Sequence, residues 1–203
     1  MADAYHHGDL RRTLLDEAAH VLDVQGVGAL SLRDLARRAG VSATAPYHHF
    51  KGKADLVTAL ADDALADLDA ALARADAEAA AAGATPGKRL CAIGVAYVLF
   101  AVDHPERFRL AFRPEMGSPF DDMADEGLPE DLVGFRQLVR VVREVEPDPD
   151  RQAPTAIGAW STAHGLAALL VDGPLRTLAA DRDRVQALVG AVLVAEAPRG
   201  PAP

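Results

Sequence analysis

The sequence predicts an all-α protein, with a small N-terminal helical domain followed by a larger helical domain. Half of its 203 residues are hydrophobic but only 5% are aromatic, and such an alanine-rich composition favours closely packed helices over sheets. Apolar residues recur at helical spacing, and the strict alternation typical of strands is nearly absent. Breaks rich in Gly and Pro separate the helices. We expect domains at residues 8–68 and 84–196.

The first helix is predicted from about Gly8 to Gln25. Its apolar residues share one face, and they are Leu10, Leu14, Ala18, Val21 and Leu22. Gly26 and Gly28 end it. This helix should support the pair of helices that follows.

Two short helices joined by a tight turn are predicted between residues 31 and 50. Ser31 and Asp34 have the spacing of a capping box, which satisfies amides that the first helical turn leaves unpaired. Gly40 can end this helix through a left-handed conformation. Ser42 can cap the second helix, which we expect to run to about residue 49. Phe50 closes the unit with a ring that requires burial.

The second of these helices has almost no apolar stripe to bury. Its side chains are small, as in Ala43 and Thr44, or have hydrogen-bonding tips, as in Tyr47 and His48. Residues 31–53 hold five Lys or Arg and one Asp, whereas the whole chain has a net charge of −9. Small residues let a helix enter the major groove of DNA, and Tyr and His tips can reach phosphates. The pattern predicts a DNA-reading surface.

One stretch, from Leu10 to Leu56, resembles the DNA-binding domain of the TetR family of transcriptional regulators. It contains the segment LARRAGVSATAPYHHFKGKADLV. The positions that match in fixed register are Gly40-Val41-Ser42, Tyr47, Phe50-Lys51, Lys53 and Leu56. Pro46 departs from the family pattern, in which an aliphatic residue is more usual. Because proline has no amide hydrogen, we expect the recognition helix to start late or to be locally loosened, which leaves its exact reading face open.

The resemblance implies a three-helix helix-turn-helix domain that binds double-stranded DNA. The implied contact residues are Ser31, Arg33, Ser42, Ala43, Thr44, Pro46, Tyr47, His48 and Lys51. One recognition helix reads too few bases for useful specificity, so we expect a homodimer on a palindromic operator. The preceding Tyr5-His6-His7 arm either lies along the DNA backbone or is a frayed terminus.

The middle of the chain is predicted as helices separated by Gly and Pro. A long helix from about residue 53 to 82 links the two domains, so a tilt at one end must move the other. A helix that begins at about Pro86 contains a 13-residue apolar run, too short to span a bilayer. A short helix at 106–112, an acidic loop at 114–129 and a helix at 129–146 follow.

Two apolar helices are predicted near the end of the sequence. Residues 155–171 contain no Asp, Glu, Lys or Arg, and a helix apolar on every side must be covered on every side. Residues 181–195 carry a complementary apolar stripe. Two such helices from each of two chains predict a four-helix dimer interface. A membrane span is disfavoured by the marginal length, the absence of a basic flank and the internal His164.

Trp160, His164 and Gly165 resemble the WHG motif that names the C-terminal ligand-binding and dimerisation domain of one TetR subgroup. Trp160 and His164 share a helix face. They either line a cavity for a small apolar effector, in which His is a switchable donor or acceptor, or form a packed core pair. Further candidates for the cavity wall, each of which could equally be a core residue, are Phe112, Met116, Phe120, Phe135 and Leu138.

The charge of the chain is unevenly distributed. Residues 1–53 have a net charge of +1, and the remaining 150 have a net charge of −10. An acidic body would be repelled by DNA and would orient the basic head towards it. Alternatively, the acidic residues are only a solvated surface.

Together these features predict a homodimeric repressor that a small-molecule effector releases from DNA. A regulator without an effector, and an activator, stay open as alternatives. No HExxH, CxxC, glycine-rich phosphate loop or nucleophile–base set occurs, so no enzyme activity, metal or cofactor is expected. The single Cys91 fits a reducing cytosol, and no signal sequence opens the chain. We expect a cytoplasmic protein.

Overall fold

The computed structural model describes residues 10–113 and 133–196, which are helical with no strand among them. The predicted all-α class is confirmed. The α-helices are α1 (Leu10–Gln25), α2 (Leu32–Arg38), α3 (Lys53–Ala81), α4 (Pro86–Asp103), α5 (Pro105–Ala111), α6 (Arg136–Val145), α7 (Pro149–Val171) and α8 (Arg182–Glu196). Short 3₁₀ helices occur at Val27–Ala29, Ala45–His48 and Arg176–Ala180. Within the described ranges, none of the helices has the length and apolarity that a membrane crossing requires.

The chain divides into two compact units. Of the described residues, the first unit holds 10–64 and 106–113, and the second unit holds 65–105 and 133–196. Helix α3 contributes residues to both.

One cluster of buried side chains holds the first unit together. It draws residues from α1, α2 and the start of α3, with Leu110 from α5. Phe50 is 1% exposed, and the Arg11 guanidinium lies 5.4 Å from the centroid of its ring. The predicted stripe of α1 and the burial of Phe50 are confirmed.

Helix α2 begins and ends as its sequence predicts. Ser31 Oγ accepts a hydrogen bond from the Asp34 amide at 3.4 Å. At the other end Gly40 has φ 68°, a left-handed conformation that costs glycine little. The Val41 amide then donates to the Ala36 carbonyl at 3.0 Å, as in a Schellman motif.

The prediction of an α-helix at residues 42–49 is wrong. The structure has a turn at 43–44 and a short 3₁₀ helix at Ala45–His48. Pro46 explains the difference, because it has no amide hydrogen and disfavours the α conformation in the residue before it. The segment is held by tighter bonds of the 3₁₀ type, such as the bond from the Tyr47 amide to the Thr44 carbonyl at 3.1 Å. The expected loosening at Pro46 is confirmed.

Helix α4 is the central helix of the second unit. It packs against α6, α7 and α8, and the Thr85 hydroxyl caps its first turn. The predicted burial of its apolar run is confirmed for Ile93 and for residues 97–101. Gly94 allows the close approach of α8, because a Cβ there would lie 2.7 Å from the Leu193 side chain.

Two helices of the second unit begin at residues other than those predicted. Helix α7 starts at Pro149 and not at 155, because the Asp148 carboxylate caps it and Pro149 occupies the first turn, where a missing amide costs little. Helix α6 starts at Arg136 and not near 129, after a left-handed Gly134 with φ 84°. Residues 129–132 lie outside the described residues.

Among the described residues, neighbouring helices cover only one face of helix α7. Ala156, Ala163 and Ala167 are buried, whereas Ile157 and Leu169 are 45% and 41% exposed. The described residues therefore leave part of α7 uncovered, and the prediction that this helix is covered on every side, with a second chain supplying part of the cover, stays a prediction.

A buried ionic cluster joins three helices of the second unit. Asp76 of α3 is 1% exposed, and it accepts hydrogen bonds from Arg89 of α4 at 2.7 Å and from Arg140 of α6. Arg89 also donates to Glu144 of α6 at 2.6 Å. A buried charge requires a partner and hydrogen bonds, so the cluster fixes where these helices meet.

Replacing Arg89 by Ala should destabilise the protein by about 3–5 kcal/mol, because the buried Asp76 carboxylate would lose its main partner. Arg140→Ala is the matched control. Its side chain is 54% exposed, so we expect a loss of about 1 kcal/mol or less. Urea unfolding followed by circular dichroism at fixed protein concentration measures both, and equal losses would contradict the assigned role of Arg89.

Candidate nucleic-acid interface and ligand cavity

The residues predicted to read DNA lie on one exposed turn of the first unit. Ser42, Ala43, Thr44 and His48 are exposed, and Tyr47 is 56% exposed. The Ser42 and Thr44 hydroxyl oxygens lie 3.2 Å apart. The turn thus presents a polar, uncovered surface with one aromatic side chain projecting from it.

Pro46 differs from its neighbours because it is buried. It supports the turn from the protein side and presents no surface of its own, which corrects its place among the predicted contacts. Ser31 is half-buried, and its hydroxyl oxygen caps α2. Arg33, on the first turn of α2, is exposed.

Two lysines flank the start of α3. The Asp55 carboxylate accepts a hydrogen bond from the Lys51 amide at 2.8 Å, which caps the helix. Lys53 Nζ donates to the Gly28 carbonyl at 3.0 Å and so holds the segment after α1 in place. The Lys51 side chain is exposed beside the positive end of the α3 dipole, a position that favours an anion.

The second unit contains a cavity of about 380 Å³ bounded by α3, α4, α6, α7 and α8. Among the predicted ligand-binding residues, Phe135, Leu138 and Trp160 line this cavity. The Phe135 and Trp160 rings meet edge to face, with centroids 5.5 Å apart and an interplanar angle of 86°. They form an aromatic corner of the wall.

The other predicted ligand-binding residues are placed differently. His164 does not line the cavity, but it bonds to a residue that does. Phe112 belongs to the first unit, where its ring centroid lies 5.1 Å from that of Phe108, so its assignment to the wall is corrected. Met116 and Phe120 lie outside the described residues.

The Tyr97 hydroxyl connects Trp160 and His164. Trp160 Nε1 donates to the Tyr97 oxygen at 3.2 Å, because an indole nitrogen can only donate. The Tyr97 proton can then go to Nδ1 of His164, 2.8 Å away. Burial raises the pKa of Tyr97, opposed by the Trp160 hydrogen bond, and burial lowers the pKa of His164. Both shifts favour a neutral network, in which His164 Nδ1 accepts.

Sequence reasoning missed Tyr97 and Cys91 as wall residues. Tyr97 lies within the apolar run of α4, but a buried tyrosine hydroxyl needs a hydrogen-bond partner, and this requirement is the signal that indicates its role. Cys91 Sγ lies 3.7 Å from the Leu193 carbonyl oxygen. Burial raises the pKa of the Cys91 thiol, so the thiol is neutral.

A helix-turn-helix unit with an exposed polar turn flanked by cationic side chains, joined in one chain to a helical unit with a cavity, is typical of a DNA-binding transcription regulator. Two family models match this chain. The model of bacterial regulatory proteins of the tetR family matches residues 14–60, and the model of the tetracyclin repressor-like C-terminal domain matches residues 90–192. The chain belongs to the TetR family, with a C-terminal domain of the WHG type.

Solved structures agree with this assignment. A protein of unknown function from Rhodococcus sp. RHA1 is 34% identical over 98% of this chain and 100% of its own, with a TM-score of 0.72. A tetR-family regulatory protein from Rhodococcus RHA1 is 19% identical over 92% of this chain and 95% of its own, with a TM-score of 0.61. A TetR variant from Acinetobacter baumannii AYE, in complex with minocycline, is 17% identical over 91% of this chain and 92% of its own, with a TM-score of 0.59. The last two show a likeness of fold. No curated protein matches the sequence.

Membership of the family gives the general function of the chain, DNA-binding regulation of transcription. Regulators of this family bind DNA operators and often small molecules, and they are generally not enzymes.

Because of His164, the free energy of unfolding should decrease as the pH drops below about 6.5. The unfolded His164 takes up a proton near its ordinary pKa of about 6.5, but the folded pKa is lower. The unfolded state therefore binds more protons between the two pKa values, and acid favours unfolding in that window.

Urea unfolding of the wild type and of His164→Gln at several pH values between 8 and 5 tests this expectation. The wild type should lose more of its unfolding free energy than the variant over that range. A difference between the two proteins that does not change with pH would contradict it.

Proposed function

We propose that this chain is a homodimeric repressor that a small apolar effector releases from a palindromic operator. Residues 8–68 form its DNA-binding domain, and residues 84–196 form its ligand-binding and dimerisation domain. The observation that carries the proposal is the turn of residues 42–48, whose Tyr47 is 56% exposed and which lies between exposed cationic side chains.

The turn would enter the major groove, with small side chains nearest the base edges. Ala43 and Thr44 would allow close approach, and Tyr47 and His48 would reach base edges or phosphates. Arg33 and Lys51 would contact phosphates on either side of the turn. The Ser31 hydroxyl caps α2, and the buried Pro46 supports the turn from the protein side. Pro46 therefore acts on DNA binding through the shape of the turn.

The exposed face of α7 would form the centre of the dimer interface. Ile157, Ser161, Gly165 and Leu169 are exposed and four residues apart, so they form one uncharged stripe along the helix. Its two exposed apolar side chains, Ile157 and Leu169, support an interaction site on this stripe. A twofold axis would place the stripe against its copy, with α8 beside it.

Effector binding would act by a population shift. Helix α7 supplies both the exposed stripe and the cavity residues Ala159, Trp160 and Ala163, so a ligand in the cavity contacts the helix that we assign to the interface. The ligand would favour a dimer whose recognition turns no longer match major grooves about 34–36 Å apart. The similar TetR variant solved with minocycline supports a ligand-responsive protein.

Replacing Lys51 by Ala should weaken operator binding for all sequences, because it removes one phosphate contact from each protomer of the dimer, and should lower the slope of log affinity against log salt by about 2. The double variant, with both Lys51 and Tyr47 replaced by Ala, should form no discrete protein–DNA complex. A gel shift with the intergenic DNA upstream of the gene measures both. Lys88→Ala removes an exposed lysine of the second unit and is the matched control. Unchanged binding by the Tyr47 and Lys51 variants would rule out the proposed reading turn.

Replacing Ile157 and Leu169 by Glu should give a monomer, because like charges would then face each other across the twofold axis. Analytical ultracentrifugation measures the mass, and the same sample should lose operator binding. Val24→Glu changes a residue of the first unit that is 67% exposed and should leave the dimer intact. A wild type that sediments as a monomer at working concentration would contradict the proposed dimer.

A further inference from the structure

The cavity wall of the second unit is neutral in the part that the structure describes. Its described residues include no Asp, Glu, Lys, Arg or His, and the two that can ionise, Cys91 and Tyr97, have raised pKa values through burial. The nearby Arg89 is paired with Asp76 and Glu144. A charged ligand group would therefore find no countercharge on this wall.

The hydrogen-bond donors of the wall are already used within the protein. Five described wall residues have donor side chains: Cys91, Tyr97, Thr155, Trp160 and Thr162. Trp160 donates to Tyr97, and the Tyr97 proton can go to His164.

The remaining donors follow the same pattern, with one exception. Thr162 donates to the Gly158 carbonyl at 3.0 Å, and the Cys91 thiol is directed to the Leu193 carbonyl at 3.7 Å. Thr155 is half-buried in the wall, and no described residue accepts a hydrogen bond from its hydroxyl. The described part of the wall thus offers a ligand one side-chain hydroxyl, that of Thr155.

The remaining wall surface is apolar and partly flat. Ile93, Leu138 and Leu193 contribute aliphatic area, and the Phe135–Trp160 corner contributes two ring surfaces. At the ~30 Å³ that a water-sized group occupies in a liquid, the volume of about 380 Å³ holds a ligand of roughly a dozen non-hydrogen atoms.

We infer that the cavity selects a neutral, hydrocarbon-rich ligand of roughly a dozen non-hydrogen atoms and rejects carboxylate, phosphate and ammonium compounds of the same skeleton. The ligand is held by buried apolar area, and its one hydrogen bond goes to Thr155. Beside the buried side chains of Ile93, Phe135 and Leu138, a charged group would lose its water without gaining a partner from the described wall, which is the costly outcome. The inference rests on the proposed function only in taking this ligand as the effector.

The single tryptophan of the chain gives a direct readout, because Trp160 is the only Trp in the sequence and lines the cavity. The full-length protein is titrated with 1-adamantanol, adamantane-1-carboxylate and 1-adamantylammonium, which share one hydrocarbon cage and do not absorb at the excitation wavelength. Trp160 fluorescence should respond saturably to the alcohol. The two ions should bind at least about 100-fold more weakly, because each buries an unpaired charge.

Two kinds of variant test how the ligand is held. Thr155→Val should weaken binding of the alcohol by less than about 10-fold, as expected for one hydrogen bond. Ala159→Phe or Gly158→Leu should abolish binding by filling the cavity while circular dichroism shows a folded protein. A Cβ at Gly158 would meet no atom within 4 Å, so the second side chain begins in open space.

The inference is overturned if either ion binds within about 10-fold of the alcohol, if Thr155→Val abolishes binding, or if the folded protein gives no response to the alcohol. Binding that survives in both filled variants also overturns it, because the ligand would then lie elsewhere. None of these outcomes contradicts the proposed repressor function, because the gel shift measures operator binding by the ligand-free protein. An operator complex that fails to form in the absence of ligand would remove the proposed function and leave the measured selectivity of the cavity standing.

Discussion

The buried polar groups of α4 impose the main constraint on the second unit. This helix is surrounded by α6, α7 and α8, yet it carries Arg89 and Tyr97, which lose their water when the helix is buried. Neighbouring helices supply partners for both groups: Asp76 of α3 and Glu144 of α6 bond to Arg89, and Trp160 and His164 of α7 bond to Tyr97. Because an unpaired buried group costs more than a made hydrogen bond contributes, these two contacts leave few other ways to assemble the helices around α4.

The same requirement shapes the cavity. Apolar packing brings α4, α7 and α8 together, and Gly94 permits the contact with Leu193. The Trp160–Tyr97–His164 chain turns its polar atoms towards one another, so that the rings of Trp160 and Phe135 are left to form the wall. A cavity built in this way is selective through shape and neutrality. The helix that supplies Trp160 also carries the exposed stripe of α7, which gives a physical route from a bound ligand to the proposed interface.

In the first unit the decisive residue is Pro46, which cannot donate a backbone hydrogen bond. Pro46 lacks the amide that an α-helix would use, and the segment therefore forms a 3₁₀ turn with its ring buried and Tyr47 outside. The capped helix α2, with its Schellman end at Gly40, and the Lys53–Gly28 contact hold this turn against a common core. The turn of residues 42–48 is therefore held from the protein side and exposed on its outer side, as expected for a surface that binds a partner outside the chain.

The sequence by itself determined the helical class, the caps of α2, the buried face of α1 and the family, because helical spacing and capping chemistry are local and the motif near Gly40 has a fixed register. It also indicated three wall residues, Phe135, Leu138 and Trp160. Only the tertiary structure decided that His164 is hydrogen-bonded to Tyr97 and does not line the cavity. It also decided that Phe112 lies in the first unit and that Asp76 is buried between two arginines. These contacts join residues far apart in the chain, and periodicity within one helix gives no information about which distant side chain will satisfy a buried polar group.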